Sequence, residues 1–123
     1  MNTEEFHNRL NELYLPPENR FSRIDVPQID FLCIDGNGDP QGEEYAQAVK
    51  WLFTMAYLVK PIIKARLGKN FVEPPLEALY WADDQQDFID RKVEKLRWRT
   101  MIVFIKDWVP ADDFDRATAK AEK

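Results

Sequence analysis

The sequence predicts an α+β fold, in which a small antiparallel sheet carries one long helix and a C-terminal helix on one of its faces. The length of 123 residues suits a single domain of ordinary size. A hydrophobic share of 45% supplies a core and excludes disorder. Short apolar runs typical of strands alternate along the chain with longer segments of helical periodicity, and this order gives the fold class.

The N-terminal part, residues 1–27, is predicted to form a helix or an ordered arm that precedes a folded unit over residues 28–123. Phe6 and Leu10 are spaced as neighbours on one helix face. Pro16 and the proline after it cannot continue that helix, so the pattern ends there.

The first predicted strand covers residues 29–35. Its central residues are apolar on both faces, which indicates a strand buried on two sides. Cys33 lies in that run, so its thiol is expected to be inert packing. Residues 35–40 concentrate Gly, Asn, Asp and Pro, which predicts a reversal of the chain before the next element.

A long helix is predicted over residues 43–67, because apolar residues recur there alternately every fourth and third position. Gly68 supplies its C-terminal stop. Pro61 lies inside the pattern, where it removes a hydrogen bond and crowds a carbonyl group, so a kink or a break is expected at that point.

A second strand is predicted to begin at Leu76, since the two prolines before it cannot donate ladder hydrogen bonds. Because side chains alternate along a strand, Glu77 and Trp81 lie on one face, whereas Tyr80 lies on the other.

Residues 83–99 carry acidic residues first and basic residues afterwards. This order complements a helix dipole and predicts a helix of about three turns, with its basic end in solvent. The residues expected to face the core are Ile89, Val93 and Leu96. A buried strand is then predicted within residues 100–109, and a helix after Pro110.

Composition excludes several classes of function. The net charge of −5 disfavours direct nucleic-acid binding. One cysteine, Cys33, and one histidine, His7, exclude a Cys/His metal cluster, and no cofactor motif is present. The N-terminus lacks the features of a signal peptide and no apolar run is long enough for a membrane span, so a cytoplasmic protein without a membrane partner is predicted.

Three segments together resemble the GyrI-like family of small-molecule-binding domains, in particular its stand-alone bacterial members. They are residues 13–16 with the strand end at 34–40, residues 72–81, and residues 98–102 with Trp108 and Val109. The resemblance implies a strand-helix-strand-strand (SHS2) unit, normally present twice with a ligand cleft between the copies. Only the first unit is recognised here, and Ala78 and Tyr80 depart from the family pattern.

The resemblance also implies a multidrug-type ligand, namely a planar, aromatic or cationic molecule. Family members serve as effector domains of transcription regulators or as hydrolases that open cyclopropane rings of alkylating natural products. Glu77 matches the family's acid, and would be the catalytic residue of a hydrolase. Trp81 and Tyr80 match its paired aromatics, and Tyr57 and Phe53 on the long helix are further ligand-binding candidates.

Simpler interpretations stay open for each of these residues. Glu77 is also consistent with an ordinary exposed carboxylate, and the aromatic residues with core packing. If the cleft lies on the Glu77 face, Trp81 is the better ligand candidate and Tyr80 belongs to the core. The sequence does not decide whether the protein is an enzyme. A further alternative is an interaction module that forms a homodimer through its open sheet face, in place of a missing second unit.

Overall fold

A computed structural model describes residues 3–68, 71–105 and 108–122. It contains four α-helices, one 3-10 turn and three strands in these ranges. In chain order they are α1 (Thr3–Tyr14), β1 (Phe31–Asn37), α2 (Glu43–Leu67), β2 (Leu76–Ala82), α3 (Gln85–Ile89), the 3-10 turn (Val93–Lys95), β3 (Leu96–Val103) and α4 (Ala111–Ala121). The predicted α+β class, with a long helix and a C-terminal helix, is confirmed.

The sheet has the strand order β1-β3-β2, and both pairings are antiparallel. The last strand in the sequence is therefore the central one. Its register aligns Trp98 with Gly36 on β1 and with Tyr80 on β2. Because side chains alternate, Trp98, Thr100 and Ile102 share one face, and all three are buried. We call this the covered face, and the opposite one the open face.

Helix α2 packs on the covered face through a stripe of buried residues at helical spacing. They are Ala48, Leu52, Met55, Val59 and Ile63. The helix continues through Pro61, which is exposed, so the predicted break does not occur. Gly68 ends α2 with a φ of 120°, in the region that favours glycine, and its N–H donates to the carbonyl of Lys64. The predicted bounds of this helix are confirmed.

Helix α1 closes one end of the core. The ring of Phe6 is 3% exposed and stacks on Phe71 at a centroid distance of 5.6 Å. It also meets Trp108 edge to face at 4.8 Å. His7 on the same helix accepts a hydrogen bond from the N–H of Val72. Aromatic contacts therefore connect α1 to the segment before β2 and to the segment after β3.

The prediction of a helix within residues 83–99 is wrong for most of these residues. Helix α3 ends at Ile89, and β3 already begins at Leu96. Ile89 is exposed, contrary to the prediction. The reason is that Leu96, Trp98 and the following alternate residues enter the covered face with the period of a strand, and Arg97 and Arg99 between them reach the open face.

The predicted burial of β1 on both faces is also wrong. Cys33 is exposed, because the open face is not covered at its position. Burial of part of the thiol still raises its pKa. Among the described helices, none combines the length and the apolar character that a membrane crossing requires.

Candidate functional site

The open face carries the predicted acid. The register places Glu77 of β2 across from Met101 of β3, and Met101 across from Cys33 of β1. The next row along the strands is Leu79, Arg99 and Asp35, and the third row is Trp81, Arg97 and Asn37. The open face is thus a grid of polar and apolar side chains with Glu77 at one corner and Trp81 at the other end of the same strand.

Glu77 is held by a tyrosine from the N-terminal helix. The hydroxyl of Tyr14 donates a hydrogen bond of 2.5 Å to Oε2 of Glu77. Burial raises the pKa of Tyr14 well above its usual range, and the bond to Glu77 and the charge of that carboxylate act in the same direction. The phenol therefore stays protonated, so it orients the carboxylate without neutralising it.

The other charged side chains of the open face are paired. The guanidinium of Arg99 donates from Nε and Nη2 to the two carboxylate oxygens of Asp35, at 2.7 and 3.0 Å. Arg97 donates to Asp83 at 2.8 Å. Within the described ranges, Glu77 has no ion-pair partner. Its hydrogen-bond partner there is the neutral hydroxyl of Tyr14.

The apolar part of the open face lies beside Glu77. Leu79 and Trp81 are exposed, and Met101 is half-buried. The Cα atoms of Glu77 and Trp81 are about 13 Å apart, at about 3.3 Å per residue of strand. A molecule that contacts both side chains must therefore be elongated, and a molecule that stacks on the indole while crossing Leu79 must be flat.

Tyr80 lies on the covered face and not with Glu77. Its hydroxyl is 2.7 Å from the hydroxyl of Tyr45 on α2, and the two rings stack at 6.3 Å. Tyr45 in turn meets Trp98 edge to face at 5.0 Å. Burial, together with the bond to Tyr80, raises the pKa of Tyr45 to about 12. Tyr80 thus takes part in helix-to-sheet packing at the rim of the core.

Phe53 and Tyr57 do not reach the open face either. They are 51% and 75% exposed on α2, and that helix packs on the covered face. The sheet therefore stands between these rings and Glu77. Of the predicted ligand-binding set, the structure brings only Trp81 together with Glu77. Tyr14, Leu79 and Met101 join them.

Tyr14 and Met101 could not be assigned to the site from local pattern. Tyr14 is 63 positions from Glu77 in the sequence. Met101 faces Glu77 only because β3 is the central strand. Leu79 does have a sequence signal, since it lies between Glu77 and Trp81 on the same side of a strand.

A large cavity lies elsewhere on the described chain. It is a groove of about 940 Å³ along β1, with Phe31, Phe104 and Phe114 among the residues that line it. None of its lining residues belongs to β2, so it is distinct from the surface around Glu77. We place the candidate site at Glu77 because of its carboxylate and the hydrogen bond from Tyr14, and not because of the volume of a cavity.

No family model and no curated protein matches the chain. Solved structures do match it. One is an uncharacterized conserved protein from Listeria innocua, with 34% identity over 95% of this chain and a TM-score of 0.73. Two others are described as hydrolases from the same organism, with 28% and 30% identity over 99% and 95% of this chain and TM-scores of 0.65 and 0.66.

These likenesses confirm the small α+β fold. The chain spans 57% of the length of each of the three solved relatives. The resemblance to GyrI-like domains stays a prediction, because none of the three is described as such.

Proposed function

We propose that the protein binds a planar, cationic organic molecule on its open sheet face, between Glu77 and Trp81. One observation carries this proposal. Glu77 is hydrogen-bonded to a neutral phenol, whereas both arginines of the open face are paired with aspartates. The arginine–aspartate pairs neutralise one another, so Glu77 is the group that attracts a cation to this face. The attraction is stronger because the carboxylate lies in a partly apolar setting.

The shape of the surface supports a ligand of tricyclic size. The distance from Glu77 to Trp81 of about 13 Å matches a fused aromatic system with an amino substituent at one end. Its body would stack on the indole and cover Leu79, which supplies apolar contact area. The indole face also attracts positive charge that is delocalised over the ring system.

Hydrolysis is a second candidate, and it is favoured by the two solved relatives that are described as hydrolases. For a cyclopropane-bearing alkylating agent, Glu77 would accept a proton from water as the water oxygen forms a bond to a ring carbon. The broken carbon–carbon bond would leave its electron pair in the substrate's conjugated carbonyl system, which then takes up a proton. Tyr14 would act only by holding Glu77 in place, since its raised pKa opposes loss of its own proton.

Binding is tested with proflavine, a tricyclic cationic dye, and with acridone, a neutral molecule of similar shape. Glu77→Gln is expected to weaken proflavine binding by about tenfold to a hundredfold, the usual cost of a lost charge-assisted bond, and to leave acridone binding unchanged. Glu73→Gln is the matched control, because Glu73 is exposed and pairs with Lys60 away from the open face. Equal proflavine affinities for wild type and Glu77→Gln would contradict the proposal.

Hydrolysis is tested separately with a cyclopropane-bearing alkylating agent, by mass spectrometry of the product. A hydrolase adds one water to the agent, and Glu77→Gln abolishes this turnover. If the wild-type protein leaves the agent intact while it binds proflavine, the hydrolase candidate is rejected and the binding proposal stands.

A further inference from the structure

The hydrogen bond between Tyr14 and Glu77 decides which atoms a ligand meets at that end of the open face. The hydroxyl of Tyr14 directs its proton at Oε2 of Glu77. A phenol has a single proton to donate, so the remaining lone pairs of its oxygen can only accept a hydrogen bond. Because burial raises the pKa of Tyr14, the hydroxyl keeps that proton. Oη of Tyr14 is thus an acceptor that is held beside the carboxylate.

The carboxylate of Glu77 supplies a second acceptor. Within the described ranges, the bond from Tyr14 reaches Oε2 alone, and Oε1 has no hydrogen-bond partner. An ionised carboxylate only accepts hydrogen bonds, at either of its oxygens. Both side chains are half-buried, so each keeps a part of its surface open to solvent. Oη of Tyr14 and Oε1 of Glu77 are therefore two acceptors, within one hydrogen-bonded pair, that a ligand can reach.

The neighbouring side chains of the open face direct no donor at these two oxygens in the described part of the chain. Met101 lies across from Glu77, and its thioether is a weak acceptor. Arg99, in the next row, turns Nε and Nη2 toward Asp35 on β1. The Cα atom of Cys33 lies two strand spacings, or about 10 Å, from that of Glu77. The donors that satisfy this end of the site must therefore come from the ligand or from water.

We propose that the cationic end of the ligand carries N–H groups, of which one donates to Oη of Tyr14 and another to Oε1 of Glu77. Primary ammonium, amidinium and aminoaryl cations have this chemistry, whereas a fully N-alkylated cation has the charge and no donor. The inference rests on the proposed function, because it specifies the ligand of the same site. It gives Tyr14 a contact with the ligand in addition to its hold on Glu77.

Charge and hydrogen bonding make different demands on the ligand. The Coulomb attraction to Glu77 is available to any cation of the same charge at the same distance. A fully N-alkylated cation would displace water from the two acceptors without replacing the lost hydrogen bonds, which costs affinity. A site that is built to hydrogen-bond a group on its ligand discriminates strongly against an analogue without that group. Selectivity for N–H over N-alkyl is therefore the property that this arrangement predicts.

The test compares two tricyclic dyes of equal charge by fluorescence titration of the wild-type protein. One is proflavine, which carries N–H groups, and the other is its fully N-methylated analogue. Proflavine is expected to bind about tenfold or more tightly, since the analogue makes no hydrogen bond to the charged pair. The added methyl groups bring apolar area that favours the analogue, so they work against the expected preference.

Tyr14→Phe distinguishes acceptance of a ligand N–H from the positioning of Glu77. The variant is expected to bind proflavine about tenfold more weakly and the methylated dye with unchanged affinity. A hydroxyl that only positions Glu77 would change both affinities by the same factor, and that result would overturn the inference. Tyr57→Phe is the matched control, because it removes the same atom from an exposed side chain of α2, which packs on the covered face. It should leave both affinities unchanged.

The possible outcomes separate this inference from the proposed function. If the wild type binds both dyes equally well and Glu77→Gln weakens both to the same extent, the cation site stands and the requirement for N–H groups is rejected. If the wild type binds neither dye, both proposals are rejected. The comparison of the two dyes on the wild type needs no variant, and circular dichroism checks the fold of Tyr14→Phe and Tyr57→Phe.

Discussion

Gly36 lies against the indole of Trp98, its cross-strand neighbour on β3. A Cβ atom at Gly36 would lie 2.3 Å from Cη2 of that indole, a distance that real contacts do not allow. Trp98 is among the largest fully buried side chains of the core. The glycine is therefore required by the ring beside it, whereas the sequence had suggested a role in the turn at 35–40.

Gly36→Ala is expected to lower the free energy of unfolding by about 1–3 kcal/mol, as overpacking of a core usually does. Trp98→Phe in the same chain removes the atoms that the new methyl group meets, so a urea-denaturation cycle of both changes should show non-additivity. Gly38→Ala is the control, because nothing lies within 4 Å of its added methyl group and the cost there comes from a φ of 106°. Coupling of Gly38→Ala with Trp98→Phe as strong as that of Gly36→Ala would contradict this account.

Tyr14 should make stability depend on alkaline pH. Its pKa is raised in the folded protein, so the stabilisation is complete below the ordinary tyrosine pKa of about 10 and is lost as pH rises above that value. The unfolding free energy of the wild type is expected to fall more steeply above about pH 10 than that of Tyr14→Phe. Urea denaturation at several pH values measures this, and parallel curves for the two proteins would contradict a raised pKa of Tyr14 in the folded protein.

Leu52 and Ile89 provide a matched pair of substitutions, because the structure buries the first side chain and exposes the second. Leu52 is 0% exposed beneath the sheet, so Leu52→Ala should cost about 2–5 kcal/mol. Ile89 is 62% exposed, so Ile89→Ala should change stability by no more than about 0.5 kcal/mol, although the sequence placed it in the core. Chemical denaturation compares them, and similar losses would favour the longer helix that the sequence predicted.

Arg99 should control the titration of Asp35. Two hydrogen bonds from the guanidinium hold the pKa of Asp35 below its usual range. The contribution of this pair to stability is therefore present above the ordinary carboxyl pKa and is lost as pH falls through the lower, folded value. In Arg99→Lys a single ammonium replaces the two-pronged contact, so the Asp35 pKa measured by NMR should rise toward its usual value. An unchanged pKa would mean that the solution structure lacks the pair.

The long helix, the second strand and the C-terminal helix were predictable because local periodicity and local stop signals define them. Glu43–Leu67 shows the apolar stripe throughout, and Gly68 ends it. Residues 83–99 were misjudged because an acidic segment before a basic one also fits a helix dipole. The alternation of Leu96, Trp98 and Thr100 carried the strand signal, and tertiary burial decided in its favour.

Only those features of the candidate site that lie within one strand were predictable from the sequence. Alternation alone put Glu77 and Trp81 on a common face, and the structure bears out that placement. Alternation could not reveal Tyr14, which lies on the distant helix α1. It also could not reveal the arginine–aspartate pairs, which leave Glu77 without an arginine partner on this face. The aromatics of α2 were misplaced because helical spacing does not tell which face of a sheet the helix covers.

The strand order has a consequence for how the chain acquires its fold. β1 and β2 are synthesised first, yet they do not pair with one another, and each of them pairs with β3, which follows both in the chain. Closing the contact between β1 and β3 means bringing together residues about as far apart as Phe31 and Val103, which is entropically costly and slow. On the ribosome, the apolar stripe of α2 emerges before the surface that buries it exists. This chain should therefore depend on chaperones more during synthesis than after it.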